Sequence, residues 1–176
     1  MAKTTPLTIV PIIEKDYKVE CAKLMSESEP WITLKRNYSD CLSVISDPEK
    51  EIYGAFNSQK ELLGFAVLNM HGAFKGYIQS ILINPLFRDR GLGTSLMNFC
   101  EERIFQESPN VFICVSSFNK KAAKLYDRLG YKKVGELDNY IIAGYSEILL
   151  RKSISSISDF IQLSIKKSVL VQPGDK

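Results

Sequence analysis

A mixed α/β (α+β) fold, one sheet of about seven strands with helices on its faces, is what this sequence predicts, on three observations. Short β-type apolar runs alternate with segments whose apolar residues recur at helical spacing, and turn residues separate the two. Their order is strand, two helices, three strands, helix, strand, helix, two strands. At 176 residues and 45% hydrophobic, the chain suits a single core.

Thr8 to Ile13 reads as the first strand, and Tyr17, Cys21, Leu24 and Met25 mark a helix ending near Ser28 or Pro30. Trp31, Leu34, Tyr38 and Leu42 predict a second helix. Glu51 to Asn57 and Leu62 to Met70 flank the polar SQKE turn and should pair antiparallel. Gly76 to Ile83 is the next strand; a helix follows it and stops near Pro109. Val111 to Val115 is a short apolar strand. Asn119 to Leu129 is a helix with Ala122, Leu125, Tyr126 and Leu129 on one face, closed by Gly130. Tyr131 to Leu137 and Ile141 to Leu150 form a closing pair around the DN turn. From Ser153 the composition changes, with Ile154, Ile157, Ile161 and Ile165 at helical spacing. Residues 153–176 are therefore an appendage to a domain spanning 1–152, either a short amphipathic helix or a flexible tail.

Composition excludes several classes. The net charge of +3 comes from 23 basic and 20 acidic residues, interspersed, which argues against nucleic-acid binding. Cys21, Cys41, Cys100 and Cys114 form no CxxC pair and His71 is the sole histidine, so no metal site is expected and reduced, buried thiols are. The first ten residues lack a signal peptide's apolar stretch and no later run could span a bilayer, so a cytoplasmic protein without membrane contact is expected.

The most informative stretch is PLFRDRGLGTSLMNFC. The apolar run Ile81, Leu82, Ile83 gives way to Pro85, then Arg88, Gly91 and Gly93, and Leu92, Leu96, Phe99, Cys100 and Ile104 follow at helical spacing. Glycines on a strand-to-helix turn aim backbone N–H groups, the positive end of a helix dipole and a cation at one point, which suits a phosphate. Gly93 is followed by Thr94 and Ser95 with no Lys, which disfavours a P-loop. Leu96 stands where a dinucleotide fingerprint needs its third glycine.

ILINPLFRDRGLGTSLM resembles the acyl-CoA motif (Q/R)xxGx(G/A) of the GNAT superfamily of N-acyltransferases, with Arg88, Gly91 and Gly93 at its defined positions. NKKAAKLYDRLGYKKVG is similar to the family's N…A…YxxxGF segment through Asn119, Ala122, Ala123, Tyr126, Leu129, Gly130 and Tyr131, with Tyr131 in place of the usual Phe. The resemblance covers roughly residues 6–150.

That resemblance implies a GNAT-like, mostly antiparallel sheet with helices on both faces and a splay between strands 4 and 5. It implies acetyl-CoA as co-substrate, its pantetheine arm on backbone groups of Ile81, Leu82 and Ile83. The pyrophosphate would meet Arg88 and the turn from Asp89 through Arg90, Gly91, Leu92 and Gly93 to Thr94, where glycine allows close approach. Asn119 is a preferred N-cap and, by the same resemblance, a cofactor contact; the two are compatible. Tyr126 shares a face with core residues, while the resemblance makes its hydroxyl the general acid for the thiolate.

The implied reaction is direct attack of an amine on the thioester in a ternary complex, with an N–H around Leu82 stabilising the oxyanion. The acceptor is a small-molecule, peptide or protein amine, and the protein a monomer or homodimer. Some relatives carry a carboxylate on the strand before the turn, but here GYIQSILI has none. Proton loss would go through water assisted by Glu51, Tyr77 or Ser80. His71 is expected in an exposed loop and Cys114 as a small core residue. Acceptor walls would be Trp31, Thr33, Tyr38 and residues 138–140. The missing strand carboxylate motivates an alternative, a non-catalytic acyl-CoA-binding or sensing module.

Overall fold

A computed structural model describes residues 7–170, with side chains described through Lys166. The first six residues, part of the stretch in which no signal peptide is expected, and the end of the appendage from 171 lie outside the described residues.

Seven strands form one sheet in the order β1-β2-β3-β4-β5-β7-β6. They are β1 (Thr8–Pro11), β2 (Lys50–Phe56), β3 (Leu62–Asn69), β4 (Tyr77–Ile83), β5 (Asn110–Ser116), β6 (Lys132–Asp138) and β7 (Ser146–Ser153). Every neighbouring pair is antiparallel except β4 with β5. The helices are α1 (Lys15–Ser26), α2 (Tyr38–Ser46), α3 (Leu92–Phe105), α4 (Lys120–Arg128) and α5 (Ile157–Leu170).

The interior strand β3 is buried on both faces, and alternation along it separates two cores. Phe65 and Val67 belong with Cys21, Ala22 and Met25 of α1 and Cys41 and Ile45 of α2. Ala66 and Leu68 belong with Leu96, Met97, Cys100 and Ile104 of α3 and Tyr126 of α4. The predicted mixed sheet with helices on both faces is what the chain forms.

The predicted splay is also present. β4 and β5 pair only at Tyr77↔Phe112 and Ile78↔Ile113, after which residues 79–83 and 114–116 diverge. A register shift opposes Ser80 to Val67 but Ile78 to Leu68, so Gln79 is a bulge where the strands begin to part. Bulges bend a strand at such points.

Two element starts differ from expectation, and the appendage takes one of its two expected forms. The second helix begins at Tyr38, not Trp31, because Asn37 and Asp40 form a capping box, Asn37 Oδ1 accepting from the Asp40 N–H and Asp40 Oδ2 from the Asn37 N–H, each at 3.0 Å. Trp31 to Lys35 form consecutive turns that end with Lys35 at φ 55°. β7 begins at Ser146, not Ile141: the DN turn widens into a loop in which Gly144 N–H donates to Asn139 Oδ1 at 2.8 Å, with Asn139 and Gly144 both at positive φ. The appendage, as far as it is described, is the helix α5, opened by Ser156, whose Oγ accepts from the Asp159 N–H at 3.1 Å.

Candidate active site

The turn after β4 is built by short-range hydrogen bonds. Asn84 Oδ1 accepts from the Leu86 N–H at 3.1 Å, opening a single 3-10 turn over Pro85–Phe87, and Arg88 Nε donates back to the Ile83 carbonyl at 3.2 Å. Asp89 and Gly91 then take positive φ, 63° and 80°, and Gly91 is the N-cap of α3. The first N–H groups of α3 have no partner within the helix, so they open outward with the positive end of its dipole. A Cβ on Gly91 would meet nothing within 4 Å. The space is there for a ligand.

A cleft of about 570 Å³ lies over this turn, walled by Ile81 and Ile83 of β4, by Arg88 to Thr94 less Arg90, and by Lys121, Ala122, Leu125 and Arg128 of α4. Arg88, Lys121 and Arg128 give it a cationic lining. Its acids are Glu29 and Asp89, and Asp89 is held by Lys121 at 2.7 Å. That salt bridge, by hydrogen bond and charge, keeps the Asp89 carboxyl below its usual range.

A second cavity of about 400 Å³ opens on the other side of the splay. Its walls are Met25, Trp31, Leu34 and Val44 from the first helical layer, Tyr77 to Ile81 from β4, Ile113 to Ser116 from β5, and Tyr140, Ile141 and Glu147. Ile81, Asn119 and Tyr126 line both spaces, so the two meet at those residues. Asn119 caps α4, its Oδ1 accepting from the Ala122 N–H at 3.2 Å, and lies at this junction as well. Tyr126 is 5% exposed, and burial, then the neighbouring Cys100, raise its phenol above the ordinary value.

Most residues expected around the turn lie together in the first cleft: Ile81, Ile83, Arg88, Asp89, Gly91, Leu92, Gly93, Thr94, Asn119 and Tyr126. Two do not line it. The Leu82 side chain faces the α1–α2 core at 3% exposure, because alternation along β4 turns it away from Ile81 and Ile83, and the Arg90 guanidinium lies 5.5 Å above the Phe87 ring.

The second cavity departs further from expectation. Trp31 and Tyr140 line it, but Thr33 instead hydrogen-bonds Glu29 at 3.0 Å and Tyr38 is 41% exposed. Glu51 is in neither space: Arg103 engages it with both Nε at 2.9 Å and Nη2 at 2.5 Å. Cys114, expected in the core, faces the cavity, and burial raises its thiol, which disfavours a nucleophilic thiolate. His71 is exposed, with Nε2 3.9 Å from Glu49.

Glu147 is the acid that sequence reasoning missed. It is 6% exposed and stands opposite Ser116 in the β5–β7 ladder, and Ser116 Oγ donates to its Oε1 at 2.5 Å. Burial raises its carboxyl above the usual range, opposed by the Ser116 hydrogen bond. The available signal was an acid amid the apolar run of β7, but only the sheet order places it beside β5.

The model of the acetyltransferase (GNAT) family matches residues 12–131. The chain belongs to that family. A mycothiol acetyltransferase of Mycolicibacterium smegmatis is 31% identical over 91 residues, which is 49% of this chain and 30% of that protein; the chain thus spans under a third of that relative's length. Among solved structures, a GNAT-family protein of Desulfovibrio desulfuricans superposes with a TM-score of 0.72 at 15% identity, over 85% of this chain and all of that one. An aminoglycoside 6′-N-acetyltransferase complexed with coenzyme A does so at 0.68 and 18%, covering 85% and 98%. These identities speak to the fold. In the GNAT frame, the cleft over the Gly91 turn fits coenzyme A in three respects: the open space at Gly91, the three cations, and the β4 backbone left unpaired by the splay.

Proposed function

We propose that this protein is a cytoplasmic N-acetyltransferase that transfers the acetyl group of acetyl-CoA to a primary amine by direct attack in a ternary complex. The observation that carries this reading is the junction at Ile81, Asn119 and Tyr126. It connects a cationic cleft suited to a pyrophosphate with a separate, mainly apolar cavity suited to a second substrate. Two connected spaces favour simultaneous occupation. The half-buried Cys114 thiol, held above its ordinary pKa, disfavours a covalent acetyl-enzyme.

In this reading the N–H groups of residues 89–94, with Arg88, Lys121 and Arg128, hold the pyrophosphate, and the free edge of β4 from Ile81 to Ile83 holds the pantetheine arm as a strand would. Acetyl-CoA supplies a carbonyl activated as a thioester. The N–H of β4 around Leu82 polarises that carbonyl, and the Tyr126 hydroxyl donates its proton to the departing sulfur. A phenol with a raised pKa is neutral at pH 7, as that role requires. The solved relative named for aminoglycosides shares the fold at 18% identity, which leaves the acceptor to this chain's own cavity.

The test is release of CoA thiol from acetyl-CoA across a panel of primary amines, with the N-acetylated product identified by mass. Amine-dependent release supports the reading. Thermal stabilisation by CoA without turnover of any amine would establish the binding-module alternative instead.

A further inference from the structure

We propose that Glu147 seats the ammonium group of the acceptor and takes its proton, and that the acceptor is a monoamine on an apolar body. This rests on the acetyl-transfer reading above.

Glu147 is a buried acid on the wall of a cavity, yet it takes part in no ion pair among the described residues. A buried carboxylate is costly unless a cation joins it, so a cationic ligand in the cavity would satisfy it. Ser116 engages Oε1 and fixes the carboxylate's orientation from the adjacent strand. Tyr77 of β4 and Cys114 of β5 are its titratable neighbours, and Tyr140 of the β6–β7 loop lines the same cavity. None of them supplies a positive charge.

The remaining walls define the rest of the acceptor. Met25, Trp31, Leu34 and Val44 are apolar. The cavity's other acid, Asp40, accepts from the Asn37 N–H through Oδ2, and Arg36 also lines the cavity. A polyamine or aminosugar would bring several cations to a lining whose two acids, Asp40 and Glu147, and one cation, Arg36, leave a single net negative charge. A single amine on an aromatic or aliphatic body matches both the charge and the walls.

The proton balance closes. Glu147 accepts one proton from R–NH₃⁺ and passes it to water. The neutral nitrogen bonds to the acetyl carbon as the carbon–sulfur bond breaks. Tyr126 protonates the sulfur and recovers its proton from the new amide nitrogen. The net products are the N-acetyl amine, CoA thiol and one H⁺. Because the carboxylate must be ionised, kcat/KM should fall on the acid side through the Glu147 pKa.

The experiment uses acetyl-CoA with 2-phenylethylamine and spermidine as probes, on the wild type, Glu147→Gln, Glu147→Asp and Ser116→Ala. It measures kcat and KM against pH, with calorimetry of each amine binding to the CoA complex. Glu147→Gln is expected to lower kcat by about 10²-fold, the usual scale of general base catalysis, with CoA affinity unchanged. Glu147→Asp should restore part of it. Ser116→Ala, which removes the hydrogen bond favouring the charged form, should move the acid limb to higher pH, and this holds even if a Glu147 variant fails to fold. 2-Phenylethylamine should exceed spermidine at least tenfold in kcat/KM. An unchanged kcat and pH profile in Glu147→Gln, or a preference for spermidine, overturns the proposal. If no amine is acetylated, Glu147-dependent binding of 2-phenylethylamine would sustain the seat while the transfer reading falls; no amine binding at all would remove the seat.

Discussion

Lys121 Nζ lies 2.7 Å from Asp89 Oδ1, joining the first turn of α4 to the glycine turn across the cationic cleft. Both side chains are largely exposed, so the pair is screened by water and salt and contributes little to folding. Its consequence is for ligand charge. Lys121→Ala should weaken CoA binding, most strongly at low salt, and Asp89→Ala should strengthen it by releasing Lys121 to a phosphate. Titration of CoA at two ionic strengths checks this; equal affinities in all three proteins would show that Lys121 makes no phosphate contact.

Tyr126→Phe removes one hydroxyl from a residue whose ring is packed against the α3 side of the sheet. The thermal midpoint and the KM for acetyl-CoA should stay near wild type while kcat falls by about 10²-fold, the scale of a lost general acid. Steady-state kinetics at saturating amine read this directly, and an unchanged kcat would remove Tyr126 from the acid role.

Gly64 faces the strand that carries the splay. A Cβ there would come within 2.6 Å of the Leu82 carbonyl oxygen and 3.2 Å of the Ile83 Cα, both backbone atoms that cannot rotate aside. Gly64→Ala should cost about 1–3 kcal/mol, as overpacking does, and should also reduce CoA affinity because relief comes by shifting β4. Chemical denaturation and CoA titration measure the two effects on one preparation.

Arg103 joins Glu51 of β2 to Glu107 beyond α3, outside both cavities. Arg103→Ala should cost about 1–2 kcal/mol through lost charge-assisted hydrogen bonds while leaving kcat unchanged. Lys75 and Arg103 hold the Glu107 carboxyl below its ordinary range, so the unfolded chain protonates there first as pH falls. That stabilisation is complete above the unfolded value of about 4.3 and is lost as pH drops through the lower folded value. Denaturation midpoints from pH 3 to 7 should therefore fall less steeply on the acid side in Arg103→Ala than in the wild type.

The order of elements, the glycine turn and the helix carrying Tyr126 were legible in the sequence because each depends on residues a few positions apart. Helical spacing, a positive-φ glycine and an Asn cap act through local sterics and hydrogen bonds. Even locally, a stronger signal can win: the Asn37–Asp40 box starts α2 past Trp31 despite the periodicity that extends back to it.

The second cavity was hardly legible, and Glu147 not at all. Residues 116 and 147 become neighbours only because β7 inserts between β5 and β6, a pairing decided by burial and ladder hydrogen bonds across the whole sheet. The chain alone determined which segments are strands and helices and where the glycine turn sits. Tertiary structure decided that β4 and β5 part after Ile78, that Trp31 and Tyr140 line one cavity, and that a carboxylate absent from β4 arrives from β7. Strand order is a non-local outcome, and no local propensity encodes it.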